Sequence, residues 1–552
     1  MSTYSRLSAL DRSFLDIEDR NTHMHVGATC VFDLGPLRSP SGGIDIDRVR
    51  AYVESRLHLI PRYRQHLARI PFEGHPVWVD DDQFDIRYHV RHLSLPRPGC
   101  DRELKRLAGW INSQQLDRGK PLWELWVVEG LEDDRFAMIG KTHHAMIDGI
   151  AGADLIGVLL RPGPATDIDE THPWRPKPAP SPGRLVRDSV LKHLTMPLRT
   201  ISALAKDPAG FLQGATDLAA ALYESTSLSL QPGSETPLNR PIGSHRRFDW
   251  LGFDLDRVKA IKNRLGGTVN DIVLAIVTGG IRDYLVRHGI TLDGEPKFVF
   301  RAFCPVGIQT AQRSSSGGNF VSAMMMDLPV AESDPQRRVD LIRDFTHDHK
   351  GGAPVRGTEV LEKIADETFP TMLGIFAAAV ESSRAYNLIV TNVPGPQFPL
   401  YLLGARMRES YPLVPLFGHQ GLGIALLSYN GRLCWGFSAD RDIVPDLHDL
   451  VESVREAFAE LGRAAGLEPA GDHSAGGVAD EIAGDSAALA ECLGASVAPE
   501  LPGPGGPGSA EASAASDTGP GSGGSVAPRA RARRAPRAAL SATDAGRDET
   551  AA

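Results

Sequence analysis

The stretch from Arg135 to Leu160, RFAMIGKTHHAMIDGIAGADLIGVLL, gathers within a few positions side chains that can move a proton and a carboxylate that can orient them. Phe136 to Thr142 has the composition of a strand, returning on PLWELWVVEG through a turn around Asp133 and Asp134. Side chains alternate along a strand, so His143 and His144 at its end should face opposite ways, and only one of them can reach a given substrate. From Gly149 onward Ile150, Ala153, Gly157 and Leu160 fall near helical spacing, which puts Asp148 and Gly149 at a strand-to-helix junction. Junctions of this kind expose groups on a rigid scaffold. A neutral imidazole there can take the proton of an attacking hydroxyl while that oxygen bonds to a thioester carbonyl. Asp148 can fix the geometry, and Gly149 admits close approach of backbone or ligand.

Other chemistries compete for the same residues. The histidines can be packing groups at a strand end, with Asp148 capping the helix that follows. A metal site is disfavoured, because adjacent histidines on a strand diverge and no third ligand has recognisable spacing. GKT at Gly140 to Thr142 is shared with phosphate loops, but Arg135 stands where that motif needs glycine. A G-x-S-x-G elbow is absent from the sequence, which argues for direct transfer over a serine acyl-enzyme. Gly503, Gly505 and Gly508 spell G-x-G-x-x-G with neither a strand before nor a helix after, so no dinucleotide is expected.

The elements that must position these groups follow from composition. Apolar residues at 42% and charged residues at 23% are ordinary soluble usage, enough for a sizeable core. Residues 1–160 alternate short apolar runs, turns and helical patterns, as an α/β lobe does. Residues 161–246 begin with RPGPATDIDETHPWRPKPAPSP, an extended proline-rich crossover. Residues 184–206 then carry apolar positions near helical spacing beside Arg184, Arg187 and Lys192. They form either a solvated linker helix or a lipid-contacting one, and Pro197 should kink or interrupt it. A second α/β lobe spans 247–465, with a strand and helix up to Gly266, a helix from about Val269 to His288, and a last helix from about Pro445 to Ala464. Residues 466–552 turn to Gly, Ala, Ser and Pro without aromatics and read as a disordered tail.

Charge and cysteines bound the partners. With 59 basic against 69 acidic residues the formal charge is -10, which gives no case for nucleic acid. Five scattered cysteines without C-x-x-C spacing suggest neither a disulfide framework nor zinc, so a reducing cytoplasm is expected. The first residues lack the apolar run of a signal peptide, and nothing reaches the ~18 apolar residues of a spanning helix, so any membrane contact should be peripheral.

His143 to Gly149 is HHxxxDG, and the chain resembles the coenzyme A-dependent acyltransferase superfamily that carries this motif. More narrowly it resembles the bacterial wax ester synthase/diacylglycerol acyltransferase family. The further matches are LSALDRSFLDIEDRNTHMHVG (Leu7 to Gly27), PLWE (Pro121 to Glu124), TVNDIVLA (Thr268 to Ala275), NVPGP (Asn392 to Pro396) and, more loosely, RAFCPVGIQ (Arg301 to Gln309). The resemblance spans about residues 5 to 465 in order. It implies two chloramphenicol-acetyltransferase-like lobes with an active-site tunnel between them, with acyl-CoA as co-substrate and no bound cofactor or metal. His144 would be the general base, His143 a packing or orienting neighbour, and Asp148 a structural carboxylate with Arg301 as candidate partner. Asn270 would serve the oxyanion or substrate positioning, with a helix cap as its alternative role. Pro121, Leu122 and Trp123 would sit in lobe packing or against substrate, and Asn392, Pro394 and Gly395 in a rigid turn of the tunnel wall. The acceptor would be a lipid alcohol, diacylglycerol over long-chain alcohols, met at a membrane or lipid inclusion. The resemblance leaves two alternatives, a condensation-like transferase using carrier-bound acyl groups and a non-catalytic protein that binds lipid inclusions.

Overall fold

The computed structural model describes residues 3–146, 155–206, 233–292, 298–307, 321–349 and 385–468. Among them the strands are β1 (Tyr4–Arg6), β2 (His25–Asp33), β3 (Gln65–Arg69), β4 (Pro76–Asp80), β5 (Val90–Ser94), β6 (Trp123–Leu131), β7 (Arg135–His143) and β8 (Arg246–Asp254) in the first half of the chain. The second half adds β9 (Phe300–Gly307), β10 (Val321–Leu328), β11 (Leu388–Pro394), β12 (Tyr401–Leu402), β13 (Ala405–Leu413), β14 (Leu422–Tyr429) and β15 (Arg432–Asp440). Asp148 and Gly149 lie outside the described residues.

Asp133 (φ 56°) and Asp134 (φ 58°) take the left-handed conformation that a tight hairpin needs, and β6 and β7 pair antiparallel as the sequence predicts. Around that hairpin the first sheet runs β12-β13-β2-β7-β6-β5. Residues 401–413, from the second half of the chain, are therefore hydrogen-bonded into the first sheet, β13 pairing along β2 from Met407–Phe32 to Leu413–Gly27. Composition and local period carry no mark of such a strand exchange, because a strand's alternation does not name its partner. The second sheet runs β10-β9-β11-β14-β15-β8, with β11 parallel to both β9 and β14. A small third sheet is ordered β1-β4-β3.

Central strands read as continuous apolar runs where both faces are covered. Residues 123–128 of β6 are all buried, and so are residues 433–440 of β15. The helix Val269–Arg287 lies against the second sheet and is buried from Asp271 to Ile281, where the helix Leu447–Ala464 closes over it. One apolar core fills the first lobe and another the second. A third joins them, with Leu104, Ala108 and Ile111 of the helix Asp101–Asn112 against Phe248, Trp250 and Tyr411. The lobes are also tied by Lys105 to Asp249 at 2.6 Å and by the Ser113 hydroxyl accepting from the Arg246 amide at 2.7 Å.

The proline-rich crossover has no regular secondary structure, runs mostly exposed, and is pinned where Trp174 Nε1 donates to the Asp81 carbonyl at 2.9 Å. The helix Pro182–Lys206 that follows runs through Pro197 without interruption, so of the kink or interruption expected there the interruption does not occur. A single proline removes one amide donor, and the carbonyl it strands, on exposed His193, stays within reach of water.

Candidate active site

The site is assembled by the segment before β2. Ser8 caps the helix Ala9–Ile17, its hydroxyl accepting from the Asp11 amide at 3.0 Å, so that the helix presents Phe14 and ends at Glu18. Asp19 then turns the chain by accepting from the amides of Asn21 (2.8 Å) and Thr22 (2.6 Å), and β2 begins at His25. The β2–β7 register sets His25 opposite His143. Beyond that pair the His144 amide donates to the Met24 carbonyl at 2.8 Å, while the His143 amide donates to the Leu122 carbonyl at 2.9 Å. Both histidines are thus held by the backbone from two sides.

Their side chains have different surroundings. His143 is fully buried, at 0% exposure. Its Nδ1 accepts from the Ala145 amide at 3.0 Å, and its Nε2 stands 3.5 Å from Oε2 of Glu18. His144 opens a short 3-10 turn, is half-buried, and packs its ring at a 37° tilt against Phe14 with centroids 4.0 Å apart. Burial is the main cause, and the neighbouring His143 a second, that pushes the His144 imidazole down to about 4, so it is neutral at physiological pH.

Glu18 is the hub of the cluster. Its side chain is 3% exposed, and Arg118 donates to it from Nε at 3.0 Å and from Nη2 at 2.7 Å. Its other oxygen stands 3.5 Å from Nε2 of His25 and 3.4 Å from the Met24 amide. Burial alone would raise the Glu18 carboxyl, but His143 and Arg118 outweigh it and hold the group below the usual carboxylate range. His25 is pushed well down, first by burial and then by Lys141 and His143, and stays neutral. Lys141, 1% exposed, spends its ammonium on the carbonyls of Ile111 (3.1 Å) and Gln114 (2.9 Å) and on Glu124 at 3.3 Å.

Leu122 and Trp123 are buried at 0% exposure in the first-lobe core, with Pro121 beside them. The Trp123 ring stacks on His89 at 4.5 Å and donates Nε1 to the Tyr63 carbonyl at 2.8 Å. Their contact with the site is the Leu122 carbonyl under His143. Asn270 occupies the first turn of the helix Val269–Arg287 and is half-buried. The helix cap, the alternative role for Asn270, belongs instead to Thr268, which forms a capping box with Asp271. Arg301 is buried on β9, donating from Nε to Asp327 at 2.6 Å and from Nη1 to the Ala385 carbonyl at 3.2 Å. A pairing with Asp148 falls outside the described residues. Asn392 and Pro394 end β11, and Gly395 follows where a Cβ would meet the Ser428 carbonyl at 2.4 Å. Glycine is therefore required at the NVPGP turn.

Glu18, Phe14, His25 and Arg118 carry no predicted role, although the first three fall in a stretch quoted for the family resemblance. Their contact with the histidines is created by strand register and a helix end, and no spacing rule in the sequence links such distant positions. Among the described residues no group of three His, Cys, Asp or Glu side chains is arranged to hold a metal.

The profile of the wax ester synthase/diacylglycerol acyltransferase catalytic domain matches residues 7–273, and that of the family's C-terminal domain matches residues 317–462. A protein of Mycobacterium tuberculosis strain H37Rv named as a diacylglycerol O-acyltransferase is 34% identical over 85% of this chain and 92% of its own. A second from that strain, likewise named, is 33% identical over 83% of this chain and 98% of its own. Among solved structures, the wax ester synthase/diacylglycerol acyltransferase of Marinobacter aquaeolei VT8 aligns with a TM-score of 0.60 and 25% identity, over 84% of this chain and 100% of that one. The first condensation domain of the calcium-dependent antibiotic synthetase aligns with a TM-score of 0.52 at 14% identity, over 84% and 98%, and shares the two-lobed fold. With both family domains matched in order along one chain, this protein is an acyltransferase and belongs to the wax ester synthase/diacylglycerol acyltransferase family.

Proposed function

We propose that this acyltransferase esterifies the free hydroxyl of diacylglycerol, and less readily that of long-chain alcohols, with an acyl group taken from coenzyme A, and that His144 is the general base. The observation that carries the assignment is the contrast between the histidines. His144 is partly open and neutral, whereas His143 is wholly enclosed and turned toward Glu18. The acceptor hydroxyl gives its proton to the His144 imidazole as its oxygen bonds to the thioester carbonyl carbon, forming a tetrahedral oxyanion. Collapse expels the coenzyme A thiolate, which recovers the proton from the imidazolium. Because His144 is so readily deprotonated, that return is favourable.

Asn270 and the amides of its helix start are the candidate oxyanion or positioning donors, and Asp148 with Arg301 the candidate structural pair. Leu122 acts through the backbone of His143, Trp123 packs the lobe beside it, and Asn392, Pro394 and Gly395 shape the wall. Acceptor and product are insoluble in water, so the enzyme works at a lipid surface on the cytoplasmic side. Among the described residues no helix is long and apolar enough to cross a membrane.

The test is purified protein with labelled acyl-CoA and diacylglycerol, hexadecanol or no acceptor, in buffer without added metal. Triacylglycerol should form fastest, wax ester second and free fatty acid barely. Ester formation only from carrier-bound acyl groups, or none from either acceptor, would overturn the reading.

A further inference from the structure

Phe72 stands at the tip of the β3–β4 hairpin, fully exposed at 102% and in the left-handed region with φ 66°. That backbone favours glycine, and an exposed ring gains nothing from packing, so folding stability selects neither feature. The next residue ties the tip to the helix Pro182–Lys206. The Glu73 carboxylate accepts from the Ser189 hydroxyl and pairs with Arg6 at 3.0 Å. Below it, Leu185 of the same helix joins Ile70, Val77 and Val79 in a small core of its own. With Leu185 and Ser189 turned inward, the helix presents Val190, Leu191 and Leu194 outward at 52%, 59% and 68% exposure, beginning one residue after the tether.

The charges beside this apolar surface are positive. Glu73 and Asp188 are both engaged by arginines, Asp188 by Arg187 at 3.0 Å. Arg69 and Lys192 are exposed, and among the described residues no carboxylate lies within ion-pair distance of either. Protruding aromatic and aliphatic side chains ringed by unpaired cations suit the boundary between acyl chains and acidic headgroups, where burial and charge attraction add.

We propose that the β3–β4 hairpin tip and the outer face of the Pro182–Lys206 helix form one docking surface for an anionic lipid layer. Phe72, Leu191 and Leu194 enter the acyl region, while Arg69 and Lys192 meet headgroup phosphates. The proposal rests on the reading that the enzyme works at a lipid surface, and it assigns that contact to named residues of the first lobe.

The test is flotation of the full chain with phosphatidylcholine vesicles, with and without phosphatidylglycerol, beside light scattering and melting curves. The unaltered protein should float with the anionic vesicles and far less with the neutral ones. Phe72→Gly should lower partition about tenfold or more, the scale of one buried phenyl ring, with a melting temperature equal or higher because glycine suits that φ. Leu191→Asp combined with Leu194→Asp should lower it further, and Val286→Asp, an exposed position of the other lobe, should float as the unaltered chain does. If the Phe72 and leucine variants float undiminished, the surface is misassigned while lipid contact stands. If the unaltered chain binds neither vesicle, both ideas fall. A dimer in solution that the leucine variant dissociates, without vesicle binding, would mean that a second copy covers the patch.

Discussion

At the scale of single residues, the two histidines differ in reach, and that difference should appear in turnover. Removing a general base costs about 10²–10⁴ in rate, so His144→Ala should nearly abolish transfer with little change in melting temperature, since its ring is half-buried. His143→Ala should lose less turnover and more stability, because it opens a cavity beside Glu18. Acyl-CoA turnover with melting curves alongside decides; a reversed rank order would make His143 the base. Glu18 makes a second case. Its carboxylate faces Nε2 of His143, so Glu18→Gln removes the charge that orients that ring while leaving the shape. Turnover should fall, by less than the ~10⁴ lost when the carboxylate behind a catalytic imidazole is neutralised, because Glu18 orients His143 and not the base, with the acyl-CoA KM little altered. A change confined to KM would place Glu18 in substrate binding instead.

At the scale of elements, what the sequence made legible was local. The β6–β7 hairpin, the helix Val269–Arg287 and the closing helix Leu447–Ala464 were all readable, because turn residues and hydrophobic period are written within a few positions. The HHxxxDG stretch was legible for the same reason. What stayed hidden were the contacts between segments, namely β13 beside β2, Glu18 beneath His143, and Thr268 rather than Asn270 as the cap. These depend on register and on which faces meet, and period does not encode either. Gly280 is such a meeting point. In an isolated helix Gly→Ala gains about 1 kcal/mol. Here a Cβ would stand 2.6 Å from Val454 Cγ2 and 3.0 Å from its Cα, and a backbone atom cannot be relieved by a rotamer change. Gly280→Ala should therefore destabilise, by about 1–3 kcal/mol of overpacking in urea melts. A gain in stability would mean that the helices Val269–Arg287 and Leu447–Ala464 can slide apart at no cost.

At the scale of the whole molecule, the described fold closes at Glu468, whose carbonyl accepts from Arg257 at 2.7 Å, and the family domains end before it. Deleting residues 469–552 should preserve turnover of the folded protein; a large fall would give the tail a part in the site. The buried histidines set a response to acid that belongs to the entire fold. His75 and His89 are each pushed down to about 4, in both cases chiefly by burial, and His25 is pushed well below its ordinary value. Between about pH 6.5 and 4 the unfolded chain therefore binds protons that the folded chain refuses. Stability is full above the unfolded value and is lost as pH falls toward the folded one. At pH 5 a single buried histidine of this kind costs about 2 kcal/mol, so the melting temperature should fall by several degrees between pH 7 and pH 5. His89 isolates one contribution, because its ring stacks between Phe84 at 5.0 Å and Trp123 at 4.5 Å, a place that another flat ring can fill. His89→Phe keeps the stack, removes the titrating group and leaves the Trp123 carbonyl without its 2.8 Å partner. That variant should melt lower at pH 7 yet lose less on acidification than the unaltered protein, so the two curves converge toward pH 5. Parallel curves would show that His89 takes up its proton without opening the core.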